Sequence, residues 1–134
     1  MSVQRFLDDW HRIVATRDLD GLAAVLAPDV TLGAPPYWTP LEGRELVCHL
    51  LGLIVNTIED FTYHREWQDG RELALEFRGH VGESQLQGID LITLNEQAQI
   101  QKLEVLIRPA NVLEMLRAAI TPQMAAFLKD RGGS

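Results

Sequence analysis

The second half of this chain alternates apolar and polar residues with the period of two that is typical of β-strands. From Glu72 to Val81 the odd-numbered positions are apolar or glycine, and the even-numbered positions are mostly charged or polar. A strand with this period turns one face to a core and the other to solvent. Similar segments occur at 61–68, 86–94 and 99–108, separated by short turn sequences. This succession of strands predicts an antiparallel meander.

The part of the chain before these strands has helical periodicity instead. Ser2 is placed to cap a first helix, and Asp18 is placed to cap a second. The second helix should end near Ala27, because Pro28 disfavours the helical conformation in the residue before it. The apolar positions of the first helix are Val3, Phe6, Leu7, Trp10, Ile13 and Val14. Helices therefore precede the sheet.

Three further elements complete the pattern. A short strand is expected at 29–34, and a third helix from about Arg44 to Ile58 has a wide apolar face. After the last strand, Asn111 and Glu114 have capping-box spacing and predict a C-terminal helix. Thr121-Pro122 resembles the cap and first residue of yet another helix. The inward positions of the C-terminal helix are expected to be Val112, Leu116, Ala119 and Ile120.

Length and charge restrict the classes of function. The 134 residues are read as one domain at 1–130 with a frayed tail at 131–134. The formal charge of −7 and the lack of a Lys/Arg cluster argue against nucleic acid as a partner. Cys48 is the single cysteine and the histidines are scattered, so neither a metal site nor a cofactor is expected. No signal peptide or membrane span is recognised, and a cytoplasmic protein is expected.

Asp90 is the most informative single residue, because it interrupts an apolar strand. A two-residue turn at Gly82-Glu83 pairs Leu75 with Asp90 and places the carboxyl among core residues. A buried carboxyl either finds partners or raises its pKa and stays protonated. In the purely structural interpretation, a Trp indole, a Tyr hydroxyl or Arg108 satisfies Asp90. In the functional interpretation, Gly79 and Gly88 on the same face leave a hollow beside it.

Four other residues are candidates for binding a ligand beside Asp90. Trp10 and Phe77 face the core, where each is either packing or a pocket wall. Trp38 lies in the proline-rich segment 35–40, where it forms a rim over the pocket, or else covers the sheet edge or packs on a second subunit. His64 depends on the register of its strand. A two-residue turn at Asp69-Gly70 places His64 on the Asp90 face, whereas a one-residue bulge replaces it with Tyr63 and Trp67.

The order and spacing of several short motifs resemble the nuclear transport factor 2-like (NTF2-like) superfamily, specifically its SnoaL-like branch. The motifs are Asp18-Leu19-Asp20-Gly21-Leu22, Pro28-Asp29-Val30-Thr31, Glu42-Gly43-Arg44-Glu45, Gly88-Ile89-Asp90, and the segment from Ile100 to Arg108-Pro109. The resemblance implies an α+β cone. In it, a bent antiparallel sheet and N-terminal helices enclose an apolar cavity, and a C-terminal helix follows. Members include ketosteroid isomerases, polyketide cyclases and limonene epoxide hydrolases, so the fold alone does not give the function.

Individual positions discriminate between these activities. The oxyanion-stabilising Tyr of ketosteroid isomerases falls at Trp10, their proton-shuttling Asp at Ala34, and their protonated strand Asp at Asp90. Alanine cannot move a proton, which argues against that mechanism. The Asp–Arg–Asp arrangement of limonene epoxide hydrolases is also missing, since Gly88 stands two residues before Asp90. The single strand Asp of SnoaL-like cyclases is the one that Asp90 resembles.

The resulting expectation is a protein that binds a small apolar or aromatic ketone, with Asp90 as its acid/base in cyclase- or isomerase-like chemistry. A carboxylic acid kept neutral by an apolar site can donate to an oxygen on which charge develops. The alternative is a non-catalytic ligand-binding or interaction module with the same cavity. A homodimer through the outer face of the sheet is expected in either case.

Overall fold

The computed structural model describes residues 2–35 and 37–132, and the side chains of residues 131 and 132 are outside the description. The helices are α1 (Val3–Thr16), α2 (Leu19–Ala24), α3 (Arg44–Thr57) and α4 (Ala110–Gly132). The strands are β1 (Leu26–Gly33), β2 (Leu41–Glu42), β3 (Glu59–Asp69), β4 (Glu72–Val81), β5 (Ser84–Leu94) and β6 (Ile100–Arg108).

The strands form one curved, unclosed sheet in the order β2-β1-β6-β5-β4-β3. The expected meander is present from β3 to β6, and β1 adds to it by pairing in parallel with β6. Buried residues of α1, α3 and α4 join those of the inner sheet face in one hydrophobic core. The expected α+β architecture is therefore confirmed, with the C-terminal helix in place.

The helix starts follow from local capping. The Ser2 hydroxyl accepts a hydrogen bond from the Arg5 amide at 2.9 Å, and the Asp18 carboxylate accepts one from the Gly21 amide at 3.0 Å. The second helix is shorter than expected, because it ends at Ala24 and the strand already begins at Leu26. The register of β1 against β6 shifts between Leu26 and Thr31, and this irregularity lets the strand contain Pro28.

The C-terminal helix differs from the sequence expectation in three ways. It begins at Ala110, before the capping pair, and it continues through Pro122 instead of stopping there. Ala119 is exposed, although Val112, Leu116 and Ile120 are buried as expected. The helix also extends through Gly132 into the segment expected to be frayed, while residues 133 and 134 lie outside the described residues.

No helix in the described chain is long and apolar enough to cross a membrane.

The hairpin between β4 and β5 has the expected register. Val81 pairs with Ser84, Phe77 with Gly88 and Leu75 with Asp90. Gly82 in the two-residue turn has a φ of +58°, a conformation that glycine adopts without a steric penalty. The position of Asp90 on the inner face is therefore confirmed.

The β3–β4 hairpin has the bulged register. Its turn residues are Gly70 and Arg71, since Asp69 pairs with Glu72. The register then shifts between Tyr63 and Glu66, so that Tyr63 pairs with Phe77. Tyr63 consequently shares the inner face with Asp90, and His64 does not. The bulged alternative placed Trp67 on the inner face together with Tyr63. That part of the alternative is wrong, because Trp67 pairs with Ala74 and its side chain faces outward.

The two inner-face glycines do not leave a hollow, so this part of the sequence interpretation is wrong. A Cβ atom on Gly88 would lie 2.3 Å from Cζ of the Phe77 ring, and one on Gly79 would lie 2.6 Å from a methyl group of Ile58. The missing side-chain volume is filled by neighbouring side chains. The space next to Asp90 has a different origin.

Candidate active site around Asp90

A small, mostly apolar cavity of about 40 Å³ lies between the inner face of the sheet and helices α1, α2 and α3. Its deep walls are buried side chains, and its mouth is formed by exposed residues at the ends of α1 and α3 and the start of α2. Asp90 is 6% exposed and reaches the cavity from β5. The buried lining residues are Trp10, Ile13, Leu22, Leu51, Gly52, Ile54, Phe77, Asp90 and Val105. This volume exceeds the roughly 15 Å³ that one water needs and is far below a drug-sized pocket.

A chain of hydrogen bonds connects helix α1 to Asp90 across the cavity wall. The indole N–H of Trp10 donates to the hydroxyl oxygen of Tyr63 at 2.9 Å. The Tyr63 hydroxyl in turn donates to Oδ2 of Asp90 at 2.6 Å. Because an indole can only donate, the bond from Trp10 has a fixed direction, and the Tyr63 hydroxyl keeps its own proton for Asp90.

The second oxygen of Asp90 remains available to the cavity. Within the described residues, Tyr63 is the only side chain that hydrogen-bonds to Asp90, and no buried side-chain oxygen is left without a partner. Oδ1 must therefore be reachable from the cavity. A proton on Oδ1 would point at a ligand while Oδ2 accepts from Tyr63.

Burial changes the acidity of both groups. Removal from water raises the pKa of Asp90 to about 7, and the hydrogen bond from Tyr63 opposes this only in part. Burial and the neighbouring Asp90 charge raise the pKa of Tyr63 well above its ordinary value. Near neutral pH, Asp90 thus populates both its acid and its carboxylate form. Tyr63 stays protonated.

Two of the four expected binding residues line this cavity. Trp10 is held by its bond to Tyr63 and by stacking on Phe6, with ring centroids 5.9 Å apart. The Phe77 ring stacks on Phe61 at 4.6 Å and covers Gly88. Both side chains are therefore positioned by aromatic packing beside Asp90.

The other two expected binding residues are not brought to the cavity. His64 is exposed, because the bulge in β3 rotates it away from the inner face. Trp38 is 94% exposed and does not line the cavity, and the neighbouring Tyr37 turns toward α4, where its hydroxyl hydrogen-bonds to Thr121. The expected rim over the pocket is thus not formed by this loop.

Tyr63 is the site residue that the sequence placed only as an alternative. Phe61 and Tyr63 are both aromatic and lie two residues apart, on the same side of the strand, and this pair is the sequence signal that could have identified the inner face. The register shift between Tyr63 and Glu66 turns Trp67 to the opposite face of the sheet. No glycine, proline or other residue type in this segment marks the position of the bulge. Of the other lining residues, Arg17 and Asp18 at the mouth carry charge, and Asp18 is engaged by Arg12 and by its capping bond.

Ala34 is buried and does not line the cavity. The Gly21 amide and the Arg12 side chain lower the pKa of Asp18, the other carboxyl in the described cavity wall, so Asp90 is the carboxyl there with a pKa near neutral. In the described part of the chain, no group of three or more His, Cys, Asp or Glu side chains is placed to hold a metal ion.

A family model described as "SnoaL-like domain" matches residues 3–102 of this chain. None of the curated proteins compared with the chain matches it.

Two solved structures are similar in both sequence and fold. One is an uncharacterized protein with a cystatin-like fold from Silicibacter pomeroyi DSS-3. It is 37% identical, with a TM-score of 0.87 and coverage of 95% of this chain and 92% of that one. The other is described as a steroid delta-isomerase from Pseudomonas aeruginosa. It is 36% identical, with a TM-score of 0.87 and coverage of 93% of each chain. An NTF2-like protein of unknown function from Cytophaga hutchinsonii ATCC 33406 has a TM-score of 0.66 at 14% identity. The match covers 84% of this chain and 95% of that one, and it supports the fold alone.

Proposed function

The chain belongs to the SnoaL-like domain family, and on that basis we propose that it binds a small apolar or aromatic ketone and uses Asp90 as its single acid/base. The observation that carries this proposal is the placement of Asp90. It is a buried carboxyl with a pKa raised to about 7, one oxygen held by Tyr63 and the other open to an apolar cavity. A catalytic acid works best with a pKa close to the operating pH.

The chemistry follows from the directions of the hydrogen bonds. In its carboxylate form, Asp90 takes a proton from an acidic α-carbon, and the electron pair of that C–H bond forms an enolate whose oxygen carries the negative charge. The neutral Asp90 then returns this proton from Oδ1 to the enolate oxygen or to another carbon, so that one group acts first as base and then as acid. Trp10 and Tyr63 hold Oδ2 throughout and stabilise the carboxylate. Cyclase-like ring closure and isomerase-like proton transfer both fit this sequence of steps.

The related steroid delta-isomerase supports ketone chemistry, but the described cavity favours a mechanism with one carboxyl. The position where ketosteroid isomerases are expected to carry a second Asp is Ala34, which is outside the cavity wall. This same observation supports a second candidate function, a binding module without turnover, because a lone acid can hold a ketone or phenol without reacting.

A phenol is a suitable probe, because its oxygen resembles that of an enol. We expect 4-fluorophenol to bind to the wild-type protein and to shift its ¹⁹F NMR signal. Asp90→Asn keeps the size and the acceptor for Tyr63 but replaces the acidic O–H donor by a weaker amide N–H donor, so binding should weaken about two- to tenfold, the range for one neutral hydrogen bond. Equal binding by the two proteins would contradict the proposal.

Turnover separates the two candidate functions. With a panel of cyclic β,γ-unsaturated ketones and linear diketones, the wild type should convert at least one compound. Asp90→Asn should lose most of this rate. Tyr37→Phe is the matched control, because it removes a hydroxyl outside the cavity and should leave the rate unchanged. Binding without conversion of any compound would leave the binding module as the function.

We further propose that two copies associate through the outer face of the sheet. This face exposes three large apolar side chains, Trp67 on β3, Leu91 on β5 and Leu106 on β6. Exposed apolar side chains grouped on one face favour a protein–protein contact.

A further inference from the structure

A second concave surface lies directly outside the Asp90 cavity. It is a groove of about 580 Å³ between α2 and α3, bounded at one end by Phe127 of α4. Apolar atoms dominate its surface, with Leu19, Ala23, Leu53 and Phe127 among the residues that line it. The groove is open to solvent and much larger than the inner cavity.

The groove and the inner cavity adjoin each other. Leu19, Gly52 and Asn56 line both. Leu19 begins α2, and Gly52 and Asn56 lie one turn apart on α3, so a passage joining the two spaces would run between these two helices. The two spaces are separated there only by these shared residues.

One side chain narrows this passage. A Cβ atom added to Gly52 would lie 3.0 Å from Cδ2 of Leu19, so Leu19 rests against the α3 backbone at the one position without a side chain. Leu19 is nevertheless 52% exposed, so its side chain has room on the solvent side to change rotamer.

The far end of the groove is held in shape by an aromatic pair. The His49 ring of α3 stacks on the Phe127 ring with centroids 3.8 Å apart and an angle of 11° between planes. This contact fixes the C-terminal part of α4 against α3 and provides a flat apolar surface. Neither residue contributes to the chemistry at Asp90.

We propose that the ligand of this protein is elongated: its oxygen-bearing end enters the Asp90 cavity past Leu19 and Gly52, and an apolar tail lies along the α2–α3 groove against Phe127. This inference rests on the proposed function and narrows its substrate class from small ketones to ketones with an apolar extension. Two observations support the elongated shape of the ligand: the groove is much larger than the Asp90 cavity, and the two spaces share lining residues. Leu19 is the side chain that must move for the ligand to enter.

The test compares a short and a long probe of the same head group. We expect 4-hexylphenol to bind at least tenfold more tightly than 4-fluorophenol in NMR titrations that follow the Trp10 indole signal, since one fully buried methylene strengthens binding about fourfold. Phe127→Ala removes the end of the groove, and Gly52→Ala narrows the passage. Each should reduce the advantage of the long probe to below threefold, and in Phe127→Ala, which lies outside the Asp90 cavity, binding of 4-fluorophenol should stay within twofold of the wild type.

Two features make the variants informative. Gly52→Ala replaces a helical glycine by the best helix former, so the variant should remain folded. Leu106→Ala is the matched control for an exposed apolar residue, since it lies on the outer sheet face and should not change either affinity.

The possible failures are distinguishable. If 4-fluorophenol binds through Asp90 but the long probe binds no better, the elongated ligand is excluded and the proposed function stands. An advantage of the long probe that persists in both groove variants also excludes it. If neither phenol binds, both proposals are overturned.

Discussion

Two acidic side chains are buried in the described part of the chain, and their surroundings give them opposite acidities. Asp90 on the inner face receives one hydrogen bond, and burial raises its pKa. Glu76 on the outer face is bound by Arg65, Gln87 and Arg78, which lower its pKa to about 2. The number and charge of the donors decide which carboxyl remains ionised. Only Asp90 keeps a proton to donate at neutral pH.

The raised pKa of Asp90 predicts a specific pH dependence of stability. The folded protein holds this proton more tightly than the unfolded chain, whose reference value is 3.8. The resulting stabilisation is complete below about pH 4 and is lost as the pH rises through about 7. Relative to Asp90→Asn, the free energy of unfolding of the wild type should fall by on the order of 4 kcal/mol between pH 4 and pH 8.

Urea unfolding of both proteins across this pH range measures the difference. Asn is the appropriate comparison, because it does not titrate and still accepts the bond from Tyr63. Parallel curves for the two proteins would mean that Asp90 has an ordinary acidity.

Tyr63→Phe should raise the pKa of Asp90 further. The variant removes the one donor to the carboxylate, so the shift should be about one unit, or about 1.4 kcal/mol. It also leaves the Trp10 indole N–H without its acceptor, which should cost about 1–3 kcal/mol of stability. Carbon-detected NMR of the Asp90 carboxyl measures the shift. Tyr37→Phe, which removes an exposed hydroxyl, should change neither quantity, and an unchanged Asp90 titration in Tyr63→Phe would contradict the hydrogen-bond chain.

At the scale of elements, the β4–β5 hairpin depends on close packing at Gly88. The Phe77 ring occupies the space of a side chain at this position, and the Leu106 carbonyl would lie 2.7 Å from an added Cβ. A cross-strand aromatic ring over a glycine is favourable packing that any side chain at Gly88 would prevent. Packing of the Phe77 ring on Gly88 therefore favours the register that pairs Leu75 with Asp90 and holds Asp90 in the cavity wall.

Gly88→Ala should therefore lower the free energy of unfolding by about 1–3 kcal/mol or more, since the backbone oxygen cannot move aside as a side chain can. Gly33→Ala in β1 is the matched control. An added Cβ there meets its nearest atom, in the Glu104 side chain, at 3.5 Å, an ordinary contact. Urea unfolding should show little change for Gly33→Ala, and equal effects at both sites would refute this account of Gly88.

At the scale of the whole molecule, the sheet separates two surfaces with different roles. The inner face carries the cavity, and the outer face combines the Glu76 ion-pair cluster with the exposed Trp67, Leu91 and Leu106. Leu106 is 57% exposed and lies next to Ile89 on the neighbouring strand. Association of two copies through this face would cover these side chains and leave both cavities accessible from the helical side.

The dimer proposal predicts the effect of one charge. Sedimentation equilibrium should give twice the mass of the 15.1 kDa chain for the wild type, and Leu106→Asp should weaken the association at least tenfold, because burying an unpaired carboxylate is unfavourable. Leu128→Asp changes a similarly exposed leucine on α4 and should leave the dimer intact. A monomeric wild type, or equal loss in both variants, would exclude this interface.

The sequence predicts those features that depend on neighbours close along the chain. The two-residue turn at Gly82 places Asp90 on the inner face, because the register of a hairpin follows from its turn and its period of two. Ser2 and Asp18 cap their helices as expected, since a cap reaches only two or three residues. The early end of α2 and the passage of α4 through Pro122 were not predictable, because packing against distant elements overrides local preference there.

By itself, then, the sequence determined the α+β order of elements, the meander and the inward direction of Asp90, all of which follow from periodicity and turn chemistry. The tertiary structure alone decided what surrounds Asp90. A bulge in β3 selects Tyr63 over His64, and Phe77 fills the space that the glycine at 88 leaves. The cavity and the groove adjoin each other where α2 and α3 meet. These features arise between residues far apart in the chain, where the side-chain volumes and hydrogen bonds that settle them exist only after the elements have packed together.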